Sequence, residues 1–164
     1  MYFRFRRSAF GRRSGADNRR DLRALTDAGR VPGLIGYLDG VPVGWVSLGP
    51  REDFPHLAHS RSLKPVDERP VWSVVCFYVD PCYRRRGLMT ALLEGAVAHA
   101  AARGGTLVEA YPIVPEGPLS GYQGFTGLLS TFRRAGFEEM ARPSEGRAIM
   151  RRAVTDRPGS GSSG

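Results

Sequence analysis

Three consecutive arginines, Arg84, Arg85 and Arg86, precede Gly87 at the start of a pattern typical of a helix. Guanidinium groups form strong, directional hydrogen bonds to phosphate oxygens. A glycine leaves room for the backbone to approach an anion, and a helix N-terminus adds unpaired N–H groups and partial positive charge. The segment therefore predicts a polyphosphate site. It is neither a Walker A loop, which needs Gly-Lys-Ser/Thr, nor a dinucleotide fingerprint, which needs three spaced glycines.

Glu109 is the second candidate for chemistry, because it is a carboxylate in the otherwise apolar run of residues 106–111. If this run is a strand, alternation places Glu109 and Tyr111 on one face. Two roles are open for Glu109: a general base, or a structural acid paired with an arginine. Tyr111 and Tyr122 are candidate proton donors.

The arginine triplet lies between two patterns that indicate regular structure. Residues 71–79 are nearly all apolar, as expected of a strand buried on both faces. After the triplet, apolar residues recur at helical spacing until Gly104 and Gly105 end the helix, and residues 106–111 predict another strand. Strand, helix and strand within about forty residues form a βαβ unit with parallel strands and a right-handed crossover. This setting favours an anion site over a solvated run of charge.

The residues before this unit predict a helix and three strands. These are a short edge strand at residues 2–7, where aromatic and basic residues alternate, a helix at residues 17–28 capped by Asp17, and strands at residues 33–38 and 41–48. Asp39 and Gly40 indicate a hairpin turn between the last two strands, because both residues tolerate a positive φ. A proline-punctuated connection, residues 50–70, follows and holds one helical turn after Asp53.

The residues after the unit predict a Pro- and Gly-rich loop at 112–124, a short helix near 126–135, and strands at 137–141 and 148–153. The chain is therefore predicted to be a mixed α/β protein with a single central, mostly antiparallel sheet and one parallel βαβ unit. We expect one domain over residues 1–155 and a flexible Gly/Ser tail over residues 156–164.

The composition is basic: 24 Lys and Arg stand against 16 Asp and Glu among 164 residues, a net charge of +8. An anionic partner is expected. A basic nucleic-acid-binding domain is the rival interpretation, but the arginines are spread along the chain. The sequence also lacks a zinc pattern, an aromatic RNA-binding signature and a clear recognition helix. We therefore expect no nucleic acid partner.

Metal binding and membrane association are not expected either. Cys76, Cys82 and the three histidines lack the spacing of metal ligands. No apolar run approaches the roughly 20 residues of a membrane span, and the chain does not start with a secretory signal. The sequence predicts a cytoplasmic protein.

The segment around the triplet resembles the signature of the GNAT acetyltransferase superfamily. That signature has Arg or Gln, two residues, Gly, one residue and Gly or Ala, placed after a strand that ends in Val-x-Pro-x-Tyr. Here Val79-Asp80-Pro81-Cys82-Tyr83 leads into Arg84 and Gly87, and Arg134-Ala135-Gly136-Phe137 is similar to the family's helix-to-strand junction. The resemblance implies acetyl-CoA as co-substrate. The residues it assigns to cofactor binding are Phe77, Tyr78, Val79, Arg84, Arg85, Arg86, Gly87, Leu88, Met89, Thr90 and Phe132.

The resemblance also implies direct transfer of the acetyl group to an amine, without a covalent enzyme intermediate. Backbone N–H groups of residues 77–79 are expected to polarise the thioester oxygen, because the family splays this strand from its parallel neighbour and inserts the cofactor there. Glu109 is the predicted base. The acceptor is expected to be a small-molecule or peptide amine, and a homodimer is left open.

Four positions depart from the family pattern. Met89 stands where Gly or Ala is usual, and Arg85 where Gly is common. Phe125 replaces a frequent Asn. Phe132 replaces a tyrosine that protonates the departing thiolate in many members, and a phenyl ring has no proton to give. We expect Phe132 to pack against the pantetheine or the core. A protein of this fold that binds acyl-CoA without catalysis is therefore an alternative to an enzyme.

Overall fold

The computed structural model describes residues 1–115, 117 and 124–154. The strands are β1 Gly33–Leu38, β2 Val41–Pro50, β3 Trp72–Val79, β4 Leu107–Ala110, β5 Glu138–Ser144 and β6 Arg147–Ala153. The α-helices are α1 Arg7–Phe10, α2 Gly15–Asp27, α3 Pro55–Ala58, α4 Leu88–Ala102 and α5 Leu129–Arg134. Turns of 3₁₀ helix cover Tyr2–Arg4, Arg51–Asp53 and Pro81–Tyr83. The predicted tail, residues 156–164, lies outside the described residues.

The strands form one six-stranded sheet in the order β1-β2-β3-β4-β6-β5. Among the strand pairs of this sheet, β3–β4 in the centre is parallel, and α4 provides the crossover between these two strands. The other four pairs are antiparallel. The predicted fold class, the hairpin at Asp39 and Gly40, and the βαβ unit are confirmed.

Helix α4 packs on one face of the sheet and forms the larger core cluster. Leu93, Ala96 and Ala100 are fully buried in this cluster beside Val74 of β3. Leu92 of α4 lies over the glycines of β1 and β2, where a Cβ atom on either Gly36 or Gly44 would come within 3.0 Å of it. The close approach of helix to sheet therefore depends on the missing side chains of these strands.

The N-terminal segment does not form the predicted edge strand. It folds as the turn Tyr2–Arg4 followed by α1, and it covers the opposite face of the sheet. Phe3 is 5% exposed and packs with Phe54, Leu57, Val75, Tyr111 and Ile149 in a second core cluster. Of the aromatic residues that suggested a strand, Phe3 is buried by a helical turn that needs no partner strand, whereas Tyr2 and Phe5 are half-buried.

Helix α2 begins earlier than predicted, and Asp17 is not its N-cap. Ser14 caps the helix: its hydroxyl accepts from the Asp17 N–H, and the Asp17 carboxylate accepts from the Ser14 N–H. This is a capping box, which satisfies two backbone donors reciprocally. Within the described part of the chain, no helix is long and apolar enough to cross a bilayer.

Candidate functional site

The turn after β3 leads directly into the N-terminus of α4. Asp80 fixes the turn by accepting a hydrogen bond from the Cys82 N–H at 2.8 Å. Gly87 is the N-cap of α4 with φ +76°, and Arg85 also has a positive φ, +64°. A non-glycine residue in this region is strained, and such strain concentrates at functional sites. Arg85 thus adopts the conformation that suits the glycine common at this position.

The turn concentrates positive charge beside unpaired backbone donors. Arg84, Arg85 and Arg86 are all exposed, and none forms a salt bridge within the described residues. The first intrahelical bond of α4 runs from the Ala91 N–H to the Gly87 carbonyl, so the N–H groups before Ala91 have no partner inside the helix. Apart from its two chain neighbours, none of the residues that the structure describes has an atom within 4 Å of a Cβ built on Gly87. These features fit a phosphate group.

Met89 does not crowd this turn. Its side chain is half-buried and packs against the core cluster under α4. The methionine therefore takes the place of Gly or Ala by turning inward. Leu88 and Thr90, its neighbours in the first turn of α4, are also half-buried.

A β-bulge in β3 lies at the point where β3 and β4 separate. Ser47 of β2 pairs with Cys76, but the next residue, Leu48, pairs with Val74, so Val75 is an extra residue in β3. The parallel pairing with β4 ends at the same place, at Val74 and Ala110. Beyond the bulge the two strands diverge and leave an opening between them. Bulges bend strands and are frequent next to active sites.

Residues 125–129, which we call the wedge segment, fill part of this opening. The Phe77 N–H of β3 donates to the Phe125 carbonyl at 2.6 Å. On the other side, the Ile113 N–H donates to the Gly127 carbonyl at 3.0 Å and the Ile113 carbonyl accepts from the Leu129 N–H at 3.1 Å. Because residues 124–126 form a turn, closed by the bond from the Gly127 N–H to the Gly124 carbonyl, and Leu128 is extended, α5 begins at Leu129, three residues later than predicted.

The three predicted residues of β3 therefore differ in their surroundings. Phe77 packs into the core, and its N–H is engaged by the wedge segment. Tyr78 is 56% exposed, with its ring on the sheet face away from α4. Asp80 donates its N–H to Val43 of β2, so strand alternation directs the N–H of Val79, like that of Phe77, toward the opening. The Val79 carbonyl accepts from Arg84 Nε at 3.3 Å.

Phe132 is fully buried. Its ring lies edge-on to Phe77, with ring centroids 5.9 Å apart, and to Phe137, with centroids 5.3 Å apart. The structure places Phe132 in the core, which was one of its two predicted environments. A contact between Phe132 and the pantetheine stays a prediction.

Glu109 is also fully buried, and three side chains donate to its carboxylate. Oε1 accepts from Arg51 Nη1 and from the Tyr111 hydroxyl, both at 2.6 Å. Oε2 accepts from Arg151 Nε at 2.7 Å. This arrangement matches the structural alternative for Glu109, an acid paired with arginine. Its role as a general base stays a prediction.

Tyr111 belongs to the same network and is a poor proton donor at neutral pH. Burial, followed by the nearby Glu109 carboxylate, raises the pKa of Tyr111 well above its usual range. Its hydroxyl already donates to Glu109, accepts from Arg51 at 2.7 Å and lies 2.8 Å from Ser73 Oγ. The other candidate donor, Tyr122, lies outside the described residues.

Two partners of Glu109 were not identified from the sequence. Arg51 is 58 residues away and Arg151 is 42 residues away, so no local pattern links them to Glu109. Arg151 in turn donates to Asp67 at 2.7 Å, which ties the connection before β3 to β6. The bulge at Val75 also left no signal, because its neighbours Val74 and Cys76 are as apolar as Val75.

Comparisons with known proteins agree with this geometry. A model of the acetyltransferase (GNAT) family matches residues 2–115. An uncharacterized N-acetyltransferase of Methanocaldococcus jannaschii is 28% identical over 106 residues, which are 65% of this chain. The matched region spans only 38% of that relative's length.

Solved structures share the fold at low sequence identity. The ribosomal-protein-alanine N-acetyltransferase of Brucella melitensis superposes with a TM-score of 0.56 at 18% identity, covering 87% of this chain and 80% of that one. A chain of the NatC complex bound to Gag peptide and CoA gives a TM-score of 0.53 at 15% identity, covering 83% and 79%.

Proposed function

The chain belongs to the acetyltransferase (GNAT) family, and on this premise we propose that it transfers an acetyl group from acetyl-CoA to a primary amine. One observation carries the proposal: the exposed arginines and the free N-terminus of α4 lie together at the end of β3. The bulge at Val75 opens the sheet beside this turn, where β3 separates from β4.

The turn is proposed to bind the pyrophosphate of the co-substrate. Arg84 and Arg86 supply charge-assisted donors, and the first N–H groups of α4 add directional hydrogen bonds. Because Gly87 has no side chain, the phosphate can approach the backbone closely. Such a site suits a polyphosphate better than a single carboxylate, because several donors converge on one short stretch of backbone. Part of the support comes from the related fold in the NatC complex, which was solved with CoA.

The edge of β3 beyond the bulge is proposed to hold the pantetheine and thioester. Val79 directs its N–H toward the opening, and so does Phe77. A backbone donor in this position would stabilise the negative charge that develops on the thioester oxygen during attack by the amine. Holding the amine and thioester together also supplies much of the rate enhancement.

The acceptor is proposed to be a small-molecule or peptide amine. Peptides are included among the candidate acceptors because two proteins of similar fold are a ribosomal-protein-alanine N-acetyltransferase and a chain of the NatC complex bound to a Gag peptide. The experiment is a screen for release of the CoA thiol from acetyl-CoA against polyamines, aminoglycosides, amino acids and peptides with free N-termini. Amine-dependent release supports the proposal, and mass spectrometry of the product must show a gain of one acetyl group.

A second candidate function is acyl-CoA binding without catalysis. Two observations favour it: Phe132 cannot donate a proton, and the Phe77 N–H is engaged by the Phe125 carbonyl. This candidate predicts that acetyl-CoA binds but that no amine in the screen accelerates thiol release. The enzyme proposal predicts binding together with amine-dependent release.

A further inference from the structure

The hydrogen bond from Phe77 to Phe125 occupies the strand edge at which a thioester would be polarised. It is short, 2.6 Å, and it joins two backbone groups in the opening between β3 and β4. A peptide carbonyl and a thioester carbonyl are both sp² oxygen acceptors, so a single N–H cannot serve both with full strength. Acetyl-CoA bound at this depth would therefore compete with the wedge segment for the donor.

The wedge segment is anchored independently of Phe77. Thr126 accepts a hydrogen bond from Arg147 Nη1 at 2.8 Å, and the same nitrogen donates to the Tyr111 carbonyl at 2.6 Å. Gly127 has φ +86°, and a Cβ atom there would lie 2.6 Å from the ring of Phe132. The Phe125 carbonyl is therefore held in the opening by its neighbours, and a ligand must work against these contacts to move it.

We infer that the Phe125 carbonyl accepts the Phe77 N–H in the free protein, and that the thioester oxygen replaces this carbonyl as the acceptor when acetyl-CoA binds. The inference rests on the proposed function and gives residues 125–127 a positioning role. It also makes a distinction between two ligands: CoA has no carbonyl at its sulfur and leaves the Phe77–Phe125 bond in place, whereas acetyl-CoA breaks it.

The bond can be observed directly by NMR in deuterated protein labelled with ¹⁵N and carbonyl-¹³C phenylalanine. Scalar coupling across the hydrogen bond joins the Phe77 nitrogen to the Phe125 carbonyl carbon. A second bond between phenylalanines, from the Phe137 N–H to the Phe132 carbonyl at 3.0 Å, lies at the end of α5 and serves as an internal control. Spectra are recorded for the free protein and at saturating CoA or acetyl-CoA.

The expected result is loss of the Phe77–Phe125 coupling with acetyl-CoA only, while the Phe132–Phe137 coupling persists in every sample. Retention of the Phe77–Phe125 coupling with bound acetyl-CoA would overturn the inference and leave the proposed function intact. Loss of this coupling with CoA as well would also overturn the inference, because CoA has no carbonyl at its sulfur that could replace the Phe125 carbonyl. If neither ligand binds, both the inference and the proposed function fail.

A variant provides a second test. Thr126→Val keeps the shape of the side chain but removes the hydroxyl that Arg147 holds, so the wedge segment should be displaced more easily. We expect acetyl-CoA to bind about 2- to 10-fold more tightly, the equivalent of one net hydrogen bond, with unchanged affinity for CoA. Thr131→Val in α5, also buried, is the matched control. An equal effect on both ligands, or none, would contradict the inference.

Discussion

At the scale of single residues, Glu109 shows how strongly burial restricts the role of a carboxylate. Its side chain has no exposed surface, and Arg51 and Arg151 both donate to it. A buried charge without partners is unstable in a protein interior, so two guanidinium groups around one carboxylate have an evident structural purpose. A general base must also reach the substrate proton, and the described contacts of both oxygens are to protein side chains.

Glu109→Gln separates the two roles. The amide keeps the shape of the side chain but leaves the buried Arg151 and the partly buried Arg51 facing a neutral group, so we expect the free energy of unfolding to fall by about 3–5 kcal/mol. Urea titration measures this change, with Glu138→Gln on the exposed surface of β5 as the control. If Glu109 is a general base, the folded variant should instead lose about 10²–10⁴-fold in turnover across the pH–rate profile, and its stability should change little.

Phe132→Leu tests whether the missing tyrosine matters to the reaction. The ring packs against Phe77 and Phe137, so its replacement should cost about 1–3 kcal/mol of stability and leave acetyl transfer measurable. Thermal unfolding and thiol release on the same preparation provide both values. A more than hundredfold loss of turnover in a variant that still folds and binds CoA would show that this position takes part in catalysis.

Sequence patterns identified single residues of the candidate site more reliably than the side chains that contact them. Alternation within one strand was enough to place Glu109 and Tyr111 together, and the structure joins them by a hydrogen bond. The arginines around Glu109 come from β6 and from the turn after β2, so their approach is a product of the sheet order β2-β3-β4-β6. Such contacts follow from topology, and local periodicity carries no information about them.

At the scale of elements, β3 does most to build the candidate site. Its apolar run was enough to predict a buried strand, but the bulge at Val75 was not visible, since a period of two cannot be read in an all-apolar segment. The structure adds that the bulge coincides with the end of the pairing between β3 and β4. The wedge segment then limits the depth of the opening, because it forms hydrogen bonds with Phe77 on one side and Ile113 on the other.

The connection before β3 is fastened to β6 by Asp67, which gives it a predictable pH dependence. Hydrogen bonding to Arg151 lowers the pKa of Asp67 from 3.8 to about 2. A carboxylate with a lowered folded pKa contributes stability that is complete above its unfolded pKa and is lost as the pH falls toward the folded one. The contribution of Asp67 should therefore be constant above about pH 5 and disappear between about pH 4 and pH 2.

Asp67→Asn tests this expectation. The difference in urea midpoint between wild type and variant should be constant from pH 7 to about pH 5 and shrink as the pH falls further. Glu145→Gln, in the turn between β5 and β6, is the control for loss of one negative charge. A difference that is the same at every pH would mean that the Asp67–Arg151 bond does not contribute to stability.

At the scale of the whole molecule, the fold class was the most predictable property. The βαβ unit requires a parallel pair in the centre, and the hairpin at Asp39 and Gly40 places two antiparallel strands at one edge. The prediction of an N-terminal strand was wrong. Residues 2–7 alternate as an edge strand would, but Phe3 lies in a helical turn and packs against the face of the sheet and the residues around α3. Alternation alone does not distinguish a strand from a short turn that buries one aromatic residue.

The net charge of +8 is compatible with several anionic partners, and only the placement of the charge narrows them. The exposed triplet Arg84–Arg86 lies at the N-terminus of the 15-residue helix α4, whereas many other arginines are paired with Asp or Glu. The central claim is that this turn binds the pyrophosphate of acetyl-CoA.

Calorimetry of CoA binding to Arg84→Ala/Arg86→Ala tests this claim most directly. The wild type should bind in the low-to-middle micromolar range, and the variant should bind about 2–4 kcal/mol more weakly, since each charge-assisted contact contributes about 1–3 kcal/mol and the two are not fully additive. Arg61→Ala/Arg103→Ala removes two exposed charges elsewhere, in the connection before β3 and at the far end of α4, and should leave the affinity unchanged. Equal CoA affinity in the wild type and the Arg84→Ala/Arg86→Ala variant would contradict the assignment of the site.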